Sequence, residues 1–247
     1  MESLRPEVPD SLTAAILKAA ERTFDVGANG VRGLNQFLHD RPEADGVRQI
    51  QVLNPNGAHN IAVGAMSELE IEVHGHAGYY LAGMNQRAHV TVHGNVGWGV
   101  AENMMSGSVR VKGFASESAG ATAHGGLLVI EGDTSLRCGI SLKGADIVVG
   151  GSVGSFSAFM AQAGRLVVLG DAGEALGDSL YEAVIYVRGR IKSLGADAEE
   201  QPMTEIDQAE LAVLLERAGL EADPATFHRI GSRRSLYHWN ADANQQY

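Results

Sequence analysis

His74 and His93 lie 19 residues apart, with His76 and His89 close by. Imidazoles brought together are a common start for a transition-metal site. The residues that continue the spacing, Lys112 and Glu131, do not extend a ligand set. Surface histidines on a polar strand face are the preferred reading. Tyr79 and Trp98 share the same spacing, with Tyr80 beside them. Stacked aromatics could line a sugar groove, but glycoside cleavage needs two carboxylates flanking one bond. Glu102, Glu117 and Glu131 do not share one position of the spacing, and only Glu117 continues the Tyr79–Trp98 series. A packed aromatic stack is the simpler account, with a stand-alone carbohydrate-active protein as the alternative. Cys138 falls in a series with Leu81, Val100, Ala119, Ser157 and Leu176. That series reads mostly as core, where burial raises a thiol's pKa and leaves it inert. Gly75-x-x-Gly78, Gly94-x-x-Gly97-x-Gly99, Gly151-x-x-Gly154 and Gly170-x-x-Gly173 suggest phosphate loops at first sight. A phosphate loop leads into a helix N-terminus, whereas these recur and lead into further strands. No catalytic, cofactor-binding or metal-binding residue is assigned.

The spacing itself is the larger signal. Glycine stands at 75, 94, 113, 132, 151, 170 and 189, always 19 residues on. A fixed period of this size means stacked supersecondary units. Four residues before each glycine come Ile71, Val90, Val109, Leu128, Ile147, Leu166 and Ile185; two before it come Val73, Val92, Val111, Ile130, Val149, Val168 and Val187. Aliphatic residues at alternate positions mark a strand with one inward face. Ala82, Ala101, Gly120, Gly139, Ala158, Gly177 and Ala196 form a small-residue series that marks corners. The predicted fold is all-β: a right-handed parallel β-helix of about seven 19-residue turns over residues 50–197. Right-handedness is expected because the aliphatic hexad of left-handed β-helices is missing. Ile50–Leu53 and Ile61–Val63, either side of the Asn54-Pro55-Asn56-Gly57 turn signal, read as a degenerate first turn.

The flanks read as helical. Residues 1–49 form an N-terminal cap, with a helix from Ser11 through Leu12, Ile16, Leu17 and Ala20. A turn cluster at 25–30 and a second short helix through Leu34 and Phe37 follow. Residues 198–247 hold a C-terminal helix, capped by Thr204 and stopped by Gly219, and a docking tail. The helix stripe of Leu211, Leu214, Leu215 and Ala218 either closes the end of the β-helix or covers its outer face. That outer face is polar early, at Glu72, Thr91 and Arg110, and apolar later, at Val129, Val148, Val167, Leu169 and Tyr186. A solvated face does not end in stacked valines, so this segment or another chain must lie on it. Val129, Val148, Val167 and Leu169, with Arg233, Arg234, Tyr237 and Trp239 of the tail, are the expected partner-binding residues. The formal charge of −11, without a basic run, argues against nucleic acid and anionic membranes. One cysteine excludes an internal disulfide and a cluster ligated by this chain alone. No apolar run is long enough to span a membrane, and the N-terminus lacks an apolar signal core, so a soluble cytoplasmic protein is expected.

The segments Val92-His-Gly-Asn-Val-Gly-Trp-Gly99, Val149-Gly-Gly-Ser-Val-Gly154 and Val187-Arg-Gly-Arg-Ile-Lys-Ser-Leu-Gly195 resemble the G-x-G-x-G domain family. That family includes the C-terminal domain of the glutamate synthase large subunit and one of the subunits of formylmethanofuran dehydrogenase. Length, flanks and the 189–197 segment are most similar to the second subunit of N-methylglutamate synthases. The resemblance implies a scaffold subunit in a complex that makes N-methylglutamate and ammonia from glutamate and methylamine. It implies partners too: a glutaminase-like subunit and a glutamate-synthase-like subunit that holds FMN and an iron–sulfur cluster. It assigns no catalytic residue to this domain. A scaffold role in another glutamate-synthase or formylmethanofuran-dehydrogenase-like complex is a further alternative.

Overall fold

The structure, a computed structural model, describes residues 21–40 and 42–234. The expected first helix, Tyr237 and Trp239 lie outside the described residues. β1 (Glu21–Asp25) leads into α1 (Val26–His39), and a 3-10 turn (Pro42–Asp45) follows. The body is β2 (Gln49–Leu53), β3 (Glu70–His74), β4 (His89–Val92), β5 (Ser108–Val111), β6 (Leu127–Ile130), β7 (Lys143–Val149), β8 (Ala163–Val168) and β9 (Val184–Val187). β10 (Ala198–Gln201), α2 (Glu205–Ala218), a 3-10 turn (Pro224–Thr226) and β11 (His228–Ser232) complete it. The strands form one sheet in the order β1-β2-β3-β4-β5-β6-β7-β8-β9-β11-β10. β1 to β9 pair in parallel, each on the same strand of the next turn, which is a parallel β-helix. No helix among the described residues is long and apolar enough to cross a membrane.

The inward columns explain the strands. Ile71 pairs with Val90, Val90 with Val109, and so on to Ile185, and all are buried. Each buried aliphatic side chain contributes about 1.5–3 kcal/mol relative to exposure, and β-branched residues suit the pleat. The marker glycines have a different cause. From Gly94 to Gly189, each later glycine's N–H donates to the carbonyl of the one a turn earlier, at 2.8–3.1 Å. A Cβ at Gly189 would lie 2.3 Å from the Gly170 oxygen, so close backbone approach demands glycine there.

The corner is left-handed at three alternate positions per turn. Tyr80, Ala82 and Met84 have φ of 59°, 51° and 55°, and Phe156, Ala158 and Met160 repeat the pattern. Only the middle position, which is buried, is restricted to small residues. Each non-glycine residue held there costs about 1–2 kcal/mol, offset by the stacked turns on either side.

The ends depart from the period. Ile50 pairs with Ile71, a step of 21 residues, and Leu176 bridges to Leu194, a step of 18. Gly195, not Ala196, therefore follows Gly177 in the small-residue corner series. The segment before residue 50 also contributes a strand, β1, that the sequence did not suggest. Asp25 caps α1 by accepting from the N–H groups of Gly27 and Ala28, and Gly30 (φ 67°) kinks the helix where a turn was expected. α1 buries Leu34 and Leu38 against the first turn. The His39 Nε2–H donates to the Val63 oxygen at 2.9 Å. In later turns the matching carbonyls of Gly83, Glu102 and Ala121 accept N–H groups from the turn before. His39 thus replaces a turn that does not exist. At the other end, β11 runs antiparallel along β9 and β10 along β11. Strands, rather than α2, close that end.

Candidate functional site: the covered wall and the exposed ridge

α2 begins with a capping box, in which Thr204 and Asp207 satisfy each other's backbone N–H groups. It ends at Gly219, in the left-handed conformation with φ 63°. Its 14 residues make a helix about 21 Å long. From β9 back to β5 are four strand spacings, about 19 Å. The helix lies along that distance. Tyr186 on β9 donates its hydroxyl to Asp207 at 2.8 Å, and Arg165 on β8 reaches Glu210 at 3.3 Å. Asp146 on β7 accepts from Arg165 at 2.7 Å and faces Arg217 at 3.5 Å. Arg110 on β5 meets the helix C-terminus.

Beneath the helix, Val129, Val148, Val167 and Leu169 pack with Tyr186 against Leu211, Leu214 and Leu215. Val148 and Val167 are completely inaccessible. The chain's own helix, not a second protein, therefore occupies these four expected partner-binding positions. The apolar column stops where the helix stops. Arg233 and Arg234 remain exposed. The Arg233 N–H donates to the Asp197 carbonyl at 2.7 Å, and Arg234 pairs with the Asp197 carboxylate at 2.5 Å.

The electrostatics of the wall follow from its contacts. Partial burial pushes the Asp207 carboxyl up, but hydrogen bonds from Thr204, Arg229 and Tyr186 outweigh this and hold it well below the usual range. Burial and the same hydrogen bond push the Tyr186 hydroxyl up. Burial likewise opposes ionisation of Glu131, while Lys112 and Arg110 reverse the balance and lower its pKa. Burial pushes the Cys138 thiol up to about 12, which places it in the core and away from nucleophilic chemistry.

The histidines form a pair and no more. His74 and His93 stack with ring centroids 5.0 Å apart. Their Nε2 atoms lie 2.5 Å from Gln51 Oε1 and Glu72 Oε2 respectively. Among the described residues no group of three or more His, Cys, Asp or Glu is placed to hold a metal ion.

The aromatic series is longer than its spacing indicated. His59 stacks on Tyr79 at 4.3 Å, Tyr79 stacks on Trp98 at 5.2 Å, and Tyr80 meets Tyr79 edge-on at 6.5 Å. His59 escapes a 19-residue search because it lies 20 residues before Tyr79. The rings rest on glycines: a Cβ at Gly97 or Gly99 would sit 2.7 Å from a ring carbon of Tyr79 or Tyr80 respectively. Tyr79, Tyr80 and Trp98 remain 41%, 44% and 47% exposed. Further along the turn walls, Phe114, Leu136, Phe156 and Met160 are exposed as well.

No family model matches the chain. It is 52% identical over 225 residues to "Protein GlxC" of Rhizobium meliloti (strain 1021), a match spanning 91% of this chain and 99% of that protein. At that identity and coverage, the chain belongs to the GlxC family.

Proposed function

We propose that this chain is the non-catalytic scaffold subunit of a glutamate-synthase-like complex, with N-methylglutamate synthase as the specific assignment. The reading combines the resemblance of the glycine-marked β-helix to the G-x-G-x-G family with the exposed ridge. The ridge is the observation that carries it. Its own helix covers the valine wall, yet Tyr79, Tyr80, Met84, Trp98 and Phe156 stay in solvent. Large aromatic and methionine side chains grouped on a surface fit protein docking. A glutaminase-like subunit and a flavin subunit would be the partners, converting glutamate and methylamine into N-methylglutamate and ammonia. The residues here do not fit an iron–sulfur cluster, since the single thiol is buried. The cluster and the FMN belong, in this reading, to the partner. The inward columns are filled by buried aliphatic side chains, so a passage for ammonia or methylamine would run beside this subunit.

The carbohydrate-active reading is the weaker one. Tyr79 has a ring on each side, so neither of its faces is open to a sugar. Native mass spectrometry of the tagged chain isolated from its own cell tests the proposal. Two larger subunits should accompany it, and N-methylglutamate should form only with them present. Full turnover by the isolated chain would overturn the scaffold role.

A further inference from the structure

The ring stack ends at Trp98. The next residue of that series is Glu117, and among the described residues no ring covers the Trp98 face turned toward it. The Glu117 carbonyl accepts the Gly99 N–H at 2.9 Å, which fixes this residue one turn beyond the tryptophan. A second carboxylate, that of Glu102, stands beside Tyr80. The point a Gly99 Cβ would occupy lies 2.7 Å from Tyr80 Cδ1 and 2.9 Å from Glu102 Oε2, so ring and carboxylate meet over that glycine. Both glutamates are half-buried, and neither carboxylate has a hydrogen bond or ion pair among the described residues. Carboxylates of the later turns are mostly matched: Glu131 by Arg110 and Lys112, Asp146 by Arg165, Asp171 by Arg190 and Glu174 by Lys192.

Two unmatched carboxylates beside exposed aromatic rings are complementary to a planar cation. A guanidinium stacks on an aromatic face and takes a carboxylate side-on through paired N–H donors. Laid against the exposed part of Tyr80 or Trp98, it would find one carboxylate a turn beyond Trp98 and another beside Tyr80. An ammonium would satisfy the charge but not the stacking geometry. We infer that the exposed patch of Tyr80 and Trp98, with Glu102 and Glu117, receives an arginine side chain of a partner protein. The inference rests on the scaffold reading and gives it a contact chemistry. Gly97 and Gly99 let the Tyr79 and Tyr80 rings of this patch lie close against the backbone.

The probe is a capped Gly-Arg-Gly peptide, with its citrulline counterpart as the neutral isostere. The full chain carrying Trp239→Phe leaves Trp98 as the single indole, read by its N–H resonance. The arginine peptide should shift that resonance saturably. Citrulline, and the Glu102→Gln/Glu117→Gln double variant, should each weaken binding at least fivefold. Equal shifts with both peptides, or no saturable shift, would overturn the inference. The same double variant, co-purified from its own cell, separates the two readings. A complete assembly at wild-type yield overturns the arginine contact and leaves the scaffold role standing, whereas a wild-type chain that brings no partner overturns the scaffold role itself.

Discussion

The Arg110 guanidinium donates a 2.6 Å hydrogen bond to the carbonyl of Ala218, the last residue of α2, and a 2.9 Å bond to Glu131. A cation at a helix C-terminus satisfies an orphan carbonyl and opposes the negative end of the macrodipole. It also sits where the outer column turns from valine to polar residues. Arg110→Ala should lower stability by about 1.5–3 kcal/mol, the usual range for a charged hydrogen bond. Hydrogen exchange should rise in the last turn of α2 while β3 to β6 stay protected. Unchanged exchange at Leu215 to Ala218 would refute this role.

Val148 is sealed between β7 and α2. Val148→Asp would bury an unpaired carboxylate and should cost about 3 kcal/mol. Because the cover is intramolecular, the isolated chain should show the loss in urea denaturation. A variant destabilised only inside a complex would mean that α2 does not hold this wall in solution.

Asp207 sets an acid limit. Its folded pKa is depressed, since the hydrogen bonds from Thr204, Arg229 and Tyr186 exceed the effect of burial. A depressed carboxylate adds stability above its unfolded pKa, near 3.9, and loses it as pH falls through the folded value. Urea midpoints should therefore drop as the pH is lowered below about 4. Asp207→Asn should be less stable at pH 7 and show a flatter acid limb. Parallel curves for the two proteins would rule Asp207 out as the cause.

Cys138 is the sole thiol, fully buried, with its pKa pushed up to about 12. Thiol-specific reagents at pH 8 should label it only through opening of the β-helix. Labelling should be at least a hundredfold slower than in urea and should accelerate in Val148→Asp. Rapid labelling of the native chain would place the thiol outside the core.

Much of this was readable in the sequence, and the reasons are local. The inward columns from Ile71 to Ile185 needed only alternation and period, because every turn repeats the same buried environment. The stripe on α2 was equally plain, yet its destination was not. Closing an end and covering a wall need the same leucines, and the choice depends on the 14-residue helix matching four strand spacings. β1 was missed because Glu21-Arg22-Thr23-Phe24-Asp25 has no aliphatic alternation; it pairs at the edge, on one side only. His59 was missed because the first turn is longer than the rest. The two outer left-handed corner positions were invisible for another reason: the chain fills them with Tyr80, Phe156, Met84 and Met160, against the backbone preference.

The antiparallel β11 has a consequence for how anything larger is built. A parallel stack with an open last strand invites another copy to continue it, and its length is then undetermined. β11 ends that propagation, and the outermost strand, β10, is four residues long with Glu199 and Glu200 in its middle. Growth beyond β9 is thereby closed, leaving the side walls for attachment. The molecule then behaves as a ruler. Tyr79 follows β3 and Tyr181 follows β8, five strand spacings on, about 24 Å, so proteins attached near the two would be held apart by a distance that neither of them sets.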